Sequence, residues 1–206
     1  MIAEPFEAMY RSEQRPPWDQ DHPAEFVVAL ERDGHIRGSV LDAGCGTGEN
    51  ALHLAGLGYE VTGIDGAPTA IARAREKAVK RGLQVSFELA DARDLTGHAD
   101  RFDTVLDVAL FHVFDDERDR VRYTAALHGA CRSGATVHLA CFSDRNTFDA
   151  GAAPPPGFAH GVAEAELRRA FAEGWTWEGL SPRAARPPAL GGREVHLWLA
   201  RIRKST

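Results

Sequence analysis

Residues 40–50 read Val-Leu-Asp-Ala-Gly-Cys-Gly-Thr-Gly-Glu-Asn. A short apolar run ends in an acid, and three glycines follow at alternate positions. The apolar spacing from Ala51 to Leu57 is then that of a helix. No other stretch limits the fold so tightly. Glycine reaches positive φ without steric cost and leaves no Cβ between backbone and ligand. A strand that turns through such a loop into a helix N-terminus is the usual site of a nucleotide-like cofactor in an open α/β sheet.

The rest of the chain repeats the alternation. Helices are predicted over 23–32, 48–57, 116–131 and 163–172, and strands over 40–42, 60–64, 84–89, 102–107 and 135–142. Pro68 to Arg81 reads as a further helix, because Pro68 suits its first turn and Gly82 its C-cap. Segments 176–180 and 194–202 read as two last strands with no helix between them. Five β–α units imply a parallel sheet covered on both faces, and the last two strands an antiparallel hairpin at one edge. The 206 residues suffice for one domain with a sizeable core. It divides into an N-terminal lid and helix (1–36), a cofactor-binding core (37–142), and substrate-side loops with the C-terminal strands (143–206).

The turn alone does not choose a cofactor. Gly46-Thr47-Gly48-Glu49-Asn50-Ala51 fits the dinucleotide fingerprint G-x-G-x-x-G/A, which predicts NAD. Asp65, followed by Gly66, ends the next strand and suits both hydroxyls of a ribose under either reading. Asp91-Ala92 after the third strand and Phe102 to Asp107 as the fourth are not required by the dinucleotide fingerprint. The whole set resembles the class I S-adenosylmethionine-dependent methyltransferases, whose first motif is D-x-G-x-G-x-G. The resemblance implies a single Rossmann-like, doubly wound, seven-stranded α/β sheet, mostly parallel with a C-terminal antiparallel hairpin. It implies S-adenosylmethionine as cofactor, with Gly44, Cys45, Gly46 and Gly48 lining it. Asp42 would balance its amino group or sulfonium, and Asp65 with Gly66 would hold the ribose. Asp91 would receive the adenine amino group, the Ala92 N–H would meet a ring nitrogen, and Asp107 would end the strand that faces the reactive methyl. Cys45 reads as a small apolar filler of the turn rather than a nucleophile.

The N-terminal Pro17-Trp18-Asp19-Gln20, followed by His22-Pro23 and an apolar helix start, resembles the entry segment of thiopurine, thiol and halide methyltransferases. It also resembles bacterial enzymes that methylate small heterocycles. The likeness extends to Leu110-Phe111-His112-Val113-Phe114 and Cys141-Phe142-Ser143-Asp144. It implies that Trp18 folds over the cofactor. The chain departs from that pattern at His22 and in its short middle and C-terminal loops. Tyr10, Phe111 and Phe142 are the candidate substrate contacts. His112, beside the expected methyl position and with a ring that titrates near neutrality, is the candidate catalytic base or substrate orienter. Loops 143–160 and the segment holding Pro182-Arg183, Arg186 and Arg193 are, with the N-terminal stretch, the candidate lids.

Net charge is −6, which argues against a nucleic-acid or membrane-surface partner. Asp107-Val108-Ala109-Leu110 is also not the Asn/Asp-Pro-Pro-aromatic motif used on flipped adenines. No apolar run is long enough to span a bilayer and no signal-peptide core is visible, so a cytoplasmic protein is expected. Three cysteines without C-x-x-C spacing predict reduced thiols and no metal site. The expected activity is transfer of a methyl group to sulfur, nitrogen or oxygen of a small, partly apolar molecule, in detoxification or secondary-metabolite tailoring. Two alternatives are an NAD-dependent oxidoreductase and a non-catalytic cofactor-binding module. The first leaves Asp91 and the terminal hairpin unexplained, and the chain has no Tyr-x-x-x-Lys pair.

Overall fold

A computed structural model describes residues 4–146, 161–186 and 193–206. In chain order the elements are α1 (Glu4–Arg11), α2 (Glu25–Arg32), β1 (Ser39–Ala43), α3 (Glu49–Gly56), β2 (Glu60–Asp65), α4 (Pro68–Arg81) and β3 (Ser86–Leu89). They continue with β4 (Phe102–Val108), α5 (Glu117–Ala130), β5 (Cys131–Phe142), α6 (Glu164–Ala170), β6 (Trp175–Ala185) and β7 (Val195–Lys204). The seven strands hydrogen-bond in the order β3-β2-β1-β4-β5-β7-β6. β1 to β5 run parallel, and β7 is antiparallel to both β5 and β6. β1 pairs with β2 on one side and β4 on the other, so the chain leaves β1 in one direction and returns on its opposite flank. The loops at the carboxyl ends of β1 and β4 therefore diverge, and such a switch point opens the crevice in which ligands of open α/β sheets bind.

Helices cover both faces. Val27 of α2, Leu52 and Leu54 of α3, and Ile71, Ala74 and Ala78 of α4 pack with Val40, Phe87 and Leu106 on one side. Tyr123 and Leu127 of α5 and Leu167 of α6 pack with Phe102, Leu139, Phe171 and Trp198 on the other. Phe87 fits a slot that only glycine leaves open. A Cβ on Gly48 would lie 2.6 Å from its ring, and one on Gly63 2.8 Å. The third glycine of the turn is thus fixed by packing between the loop and β3. Among the described residues no helix is long and apolar enough to cross a membrane.

The α4 boundaries are those the sequence predicts, with Pro68 at the start and Gly82 at φ 65 closing it. Two strands run longer by several residues. β5 begins at Cys131, immediately after α5, because Cys131 pairs with Phe102 and extends the ladder. β6 continues through Pro182 and Arg183, which the sequence reading assigned to a loop. Proline is tolerated there because β6 is an edge strand, paired on one side only. α1 lacked a sequence signal and is held from outside. Glu7 accepts from the backbone N–H (2.9 Å) and hydroxyl (2.7 Å) of Thr69 at the start of α4. Arg73 of α4 in turn donates to the Tyr10 carbonyl at 2.7 Å.

Candidate active site

The site is built on the carboxyl ends of β1, β2, β4 and β5. Asp42 lies in β1, buried to 1% exposure beneath the glycine turn. One of its oxygens is unpartnered, while the Ala51 amide at the start of α3 serves the carboxyl group. Burial, reinforced by the charges of Asp65 and Asp107, pushes its pKa up to about 7. Gly44, Gly46 and Gly48 all adopt positive φ (71°, 55° and 87°). A Cβ on Gly44 would press on Leu110 at 3.0 Å, and one on Gly46 would meet the Tyr10 hydroxyl at 2.9 Å. The turn is therefore stripped of side chains where it faces the β4 loop and the N-terminal segment. Cys45 is a buried thiol tucked under the turn, its pKa raised by burial, and it fills space as the sequence reading assigned it.

Asp65 ends β2. Its two oxygens accept the N–H groups of Gly46 (2.9 Å) and Ala67 (2.8 Å), which ties the turn to the residues after β2. Burial raises its pKa against those bonds. The Gly66 N–H also serves the carboxylate, which keeps acceptor capacity for a further donor such as a ribose hydroxyl. Ala90 donates to the Asp65 carbonyl at 3.1 Å, so Asp91 and Ala92 follow directly beside it. The Asp91 carboxylate is gripped by Arg93, whose guanidinium lies 2.6 Å away and holds it below the usual carboxylate range. Arg93 also reaches Asp119 at 2.8 Å.

Asp107 and Phe111 are both enclosed by protein groups. Asp107 is fully buried. It accepts from the amides of Leu110 (3.0 Å) and Phe111 (3.1 Å) and from the Tyr123 hydroxyl (2.8 Å), so it anchors the turn after β4. Burial still lifts its pKa to about 6 despite these bonds. Phe111 is a core residue, stacked among Tyr123 and Phe171 with no exposure. The anchored turn passes through Ala109 at φ 68, a strained value for a residue with a Cβ, and presents His112. The His112 ring lies against Phe142, centroids 4.8 Å apart, and its Nδ1 accepts from the Phe142 amide at 3.4 Å.

The N-terminal segment roofs this crevice. Trp18 packs at one end on Tyr10, Ala67 and Ala70, and at the other on Phe142 and Val195. It thus reaches from the loop after β2 to the end of β5, over β1 and β4. Its indole N–H donates to the Tyr10 hydroxyl at 2.9 Å. Tyr10 stands at the glycine turn near Asp65. Asp19 accepts the Thr47 hydroxyl from within the glycine turn, and Thr47 accepts from Lys77 at 2.7 Å. Lys77 and Arg81 then close on the Glu49 carboxylate (2.9 and 2.7 Å). Sequence reasoning missed Asp19, Thr47, Lys77 and Glu49 because their pairings span 28 to 32 positions. Only the place of Asp19 beside Trp18 hinted at it. Arg186, a candidate lid residue, pairs with Glu194 at 3.0 Å, and residues 147–160 of the second candidate lid lie outside the described residues.

The residues fit S-adenosylmethionine. The orphaned oxygen of Asp42 is a buried acceptor suited to a cationic group, and the glycine turn offers backbone that a Cβ would fill.

Residues 40–134 match the sequence profile of a family described as a methyltransferase domain. The chain is 38% identical over 185 residues to the 2-heptyl-1-hydroxyquinolin-4(1H)-one methyltransferase of Mycobacteroides abscessus, a match covering 86% of this chain and 78% of that protein. It is 40% identical over 113 residues to an uncharacterized methyltransferase of Schizosaccharomyces pombe, covering 55% of this chain and 77% of that one. Among solved structures it superposes, with TM-score 0.87 and 44% identity, on one from work on the conversion of a disulfide bond into a thioacetal group during echinomycin biosynthesis. That match covers 100% of this chain and 92% of the other.

Proposed function

This chain belongs to the class I S-adenosylmethionine-dependent methyltransferases, and we propose that its acceptor is a sulfur, nitrogen or oxygen atom of a small, partly apolar molecule. The role would be detoxification or the tailoring of a secondary metabolite. Family membership sets aside the NAD-dependent oxidoreductase. The observation that carries the acceptor class is the roof. Trp18 and Phe142, with His112 beside them, make an aromatic wall over the ends of β4 and β5. Such a wall suits a flat or apolar molecule. The Mycobacteroides relative is named for a hydroxyquinolinone with a heptyl chain, an acceptor of that kind.

Bound S-adenosylmethionine supplies a methyl group on a positively charged sulfur. The chain supplies position. Asp42 sets a negative charge at the amino-acid and sulfonium end. Asp65, with Gly66, holds the ribose, and Gly44, Cys45, Gly46 and Gly48 shape the wall of the cofactor site. Ala92 and Asp91 meet the adenine, with Arg93 kept by Asp119 when Asp91 turns from it. Trp18 and Tyr10 close over the turn and exclude water that would solvate the nucleophile. Holding acceptor, carbon and sulfur in line is worth roughly 7–11 kcal/mol of the barrier.

The test is transfer of a labelled methyl from S-adenosylmethionine to a panel of thiols, halides, phenols, N-heterocycles and N-hydroxyquinolinones. Turnover with at least one planar or apolar acceptor, and loss of it in Trp18→Ala, is the expected result. Cofactor binding without transfer to any of them would favour the binding module instead.

A further inference from the structure

Arg120 lies in α5, and its side chain is only 7% exposed. A charge so placed needs partners, because an unpaired buried ion is strongly destabilising. Its guanidinium finds them in two different segments. Nε donates to the Phe114 carbonyl at 2.7 Å, at the end of the turn after β4. Nη1 donates to a carboxylate oxygen of Glu166, in α6, at 2.7 Å. The guanidinium carbon also lies over the Phe111 ring, 5.7 Å from its centroid. The other Glu166 oxygen accepts the Ala163 N–H at 2.8 Å, which fixes the start of α6. A second ion pair between these helices, Glu117 with Arg169, is exposed on both sides and contributes little. Arg120 with Glu166 is therefore the clamp that ties the turn after β4 to the start of α6.

Both clamped segments lead to Phe142. From the α6 side, the Val162 N–H donates to the Phe142 carbonyl at 2.8 Å. The Val162 carbonyl accepts the Asp144 N–H (3.1 Å) and the Trp198 indole N–H (2.8 Å), so this residue is itself held on β5 and β7. From the β4 side, the turn sets the His112 ring against the Phe142 ring. Trp18 packs on the same Phe142 side chain from the roof. We infer that Arg120, paired with Glu166, is a positioning residue for the acceptor: it acts through Phe142, whose place in the aromatic wall it sets from both flanks. The inference rests on the small-molecule reading of the site given above. Asp42, the glycine turn and Asp65 belong to β1, β2 and the loop after β1, outside this clamp. Loosening the clamp should therefore cost the acceptor and spare the cofactor.

The test compares Arg120→Met, Glu166→Gln and the double variant with wild type, all as full-length protein. Calorimetry gives the Kd for S-adenosylmethionine. Methyl transfer at saturating cofactor gives kcat/KM for the widest and the narrowest acceptors that wild type turns over. A misplacement of about 1 Å costs about 10²-fold in rate, so Arg120→Met should lower kcat/KM for the wide acceptor about ten- to a hundredfold. The narrow acceptor should lose less, and the Kd for S-adenosylmethionine should hold. Glu166→Gln should act in the same direction to a lesser degree. The two single losses should not add in the double variant, because each breaks the same pair. Should Arg120→Met fail to fold, Glu166→Gln carries the test alone: that side chain is 35% exposed, and glutamine keeps an oxygen for the Ala163 amide. Cofactor affinity and acceptor turnover falling by one factor would show a general structural role and overturn the inference. So would an unchanged kcat/KM, or equal losses for wide and narrow acceptors. Any of these results with an active wild type defeats this inference alone, whereas absence of wild-type transfer to every acceptor defeats the underlying reading and this inference with it.

Discussion

Gly46 shows how narrowly a residue can be fixed. Its φ of 55° suits glycine, its N–H is the donor to Asp65, and a Cβ on it would sit 2.9 Å from the Tyr10 hydroxyl. Gly46→Ala should therefore weaken S-adenosylmethionine binding through two separable effects. Left-handed backbone with a Cβ costs about 1–2 kcal/mol, which is about five- to thirtyfold in affinity if it falls on the bound form. The collision with Tyr10 adds to that. In the double variant with Tyr10→Phe the oxygen is gone, so calorimetry should recover the steric part and leave the backbone part. Equal affinities for Gly46→Ala and the double variant would show that Tyr10 does not press on the turn. Asp42 and Asp107 make the complementary point. Both are acids in buried strands, and the sequence assigns both to the cofactor. What parts them is Tyr123, sixteen positions beyond Asp107, which completes its hydrogen bonds, while one oxygen of Asp42 has no partner.

Among the elements, the N-terminal segment is a latch as much as a cover. α1 is fixed to α4 through Glu7 and Thr69, Trp18 spans the crevice, and Asp19 closes on Thr47 within the glycine turn. Removing the Thr47 hydroxyl as Thr47→Val leaves Asp19 buried with one donor fewer. A hydrogen bond to a charged group contributes about 1.5–3 kcal/mol. S-adenosylmethionine should then dissociate roughly tenfold to a hundredfold faster by stopped-flow, with a smaller change in its association rate. An unchanged dissociation rate would mean that the latch does not hold the cofactor. The sequence disclosed the elements that punctuate themselves, as α4 does with Pro68 and Gly82. It disclosed the tight turn after β1 through its glycines. It did not disclose α1 or the latch, because Glu7, Asp19, Thr47 and Lys77 find their partners only after the sheet has brought α4 and the turn together. Nor did it place Pro182 in a strand, because proline argues against one unless the edge position is known.

At the scale of the whole molecule, the fold gathers Asp42, Asp65 and Asp107 at the carboxyl edge of adjacent strands, and burial raises the pKa of each. An acid whose folded pKa exceeds its unfolded value binds the extra proton in the folded state. Its contribution to stability is complete below the unfolded pKa and is lost as pH rises through the folded one. For Asp42 that window runs from 3.8 to about 7, and for Asp107 from 3.8 to about 6. His138, buried with its ring facing the His35 carbonyl, works the other way, since burial lowers its pKa to about 4 and its contribution grows as pH rises toward 6.5. Asp42 and Asp107 against one histidine leave a net loss of stability through this range, and Asp42 extends it from 6.5 to about 7. The protein without cofactor should therefore melt several degrees higher near about pH 5.5 than near about pH 7.5, at about 2–4 °C per kcal/mol for a chain of this size. S-adenosylmethionine should narrow the gap, because its positive charges favour ionised Asp42. S-adenosylhomocysteine, which lacks the sulfonium, should narrow it less. Asp42→Asn should flatten the upper part of the profile and remove the difference between the two ligands. A melting temperature that climbs steadily to pH 8, or a profile that Asp42→Asn leaves unchanged, would show that Asp42 is already ionised before the cofactor arrives.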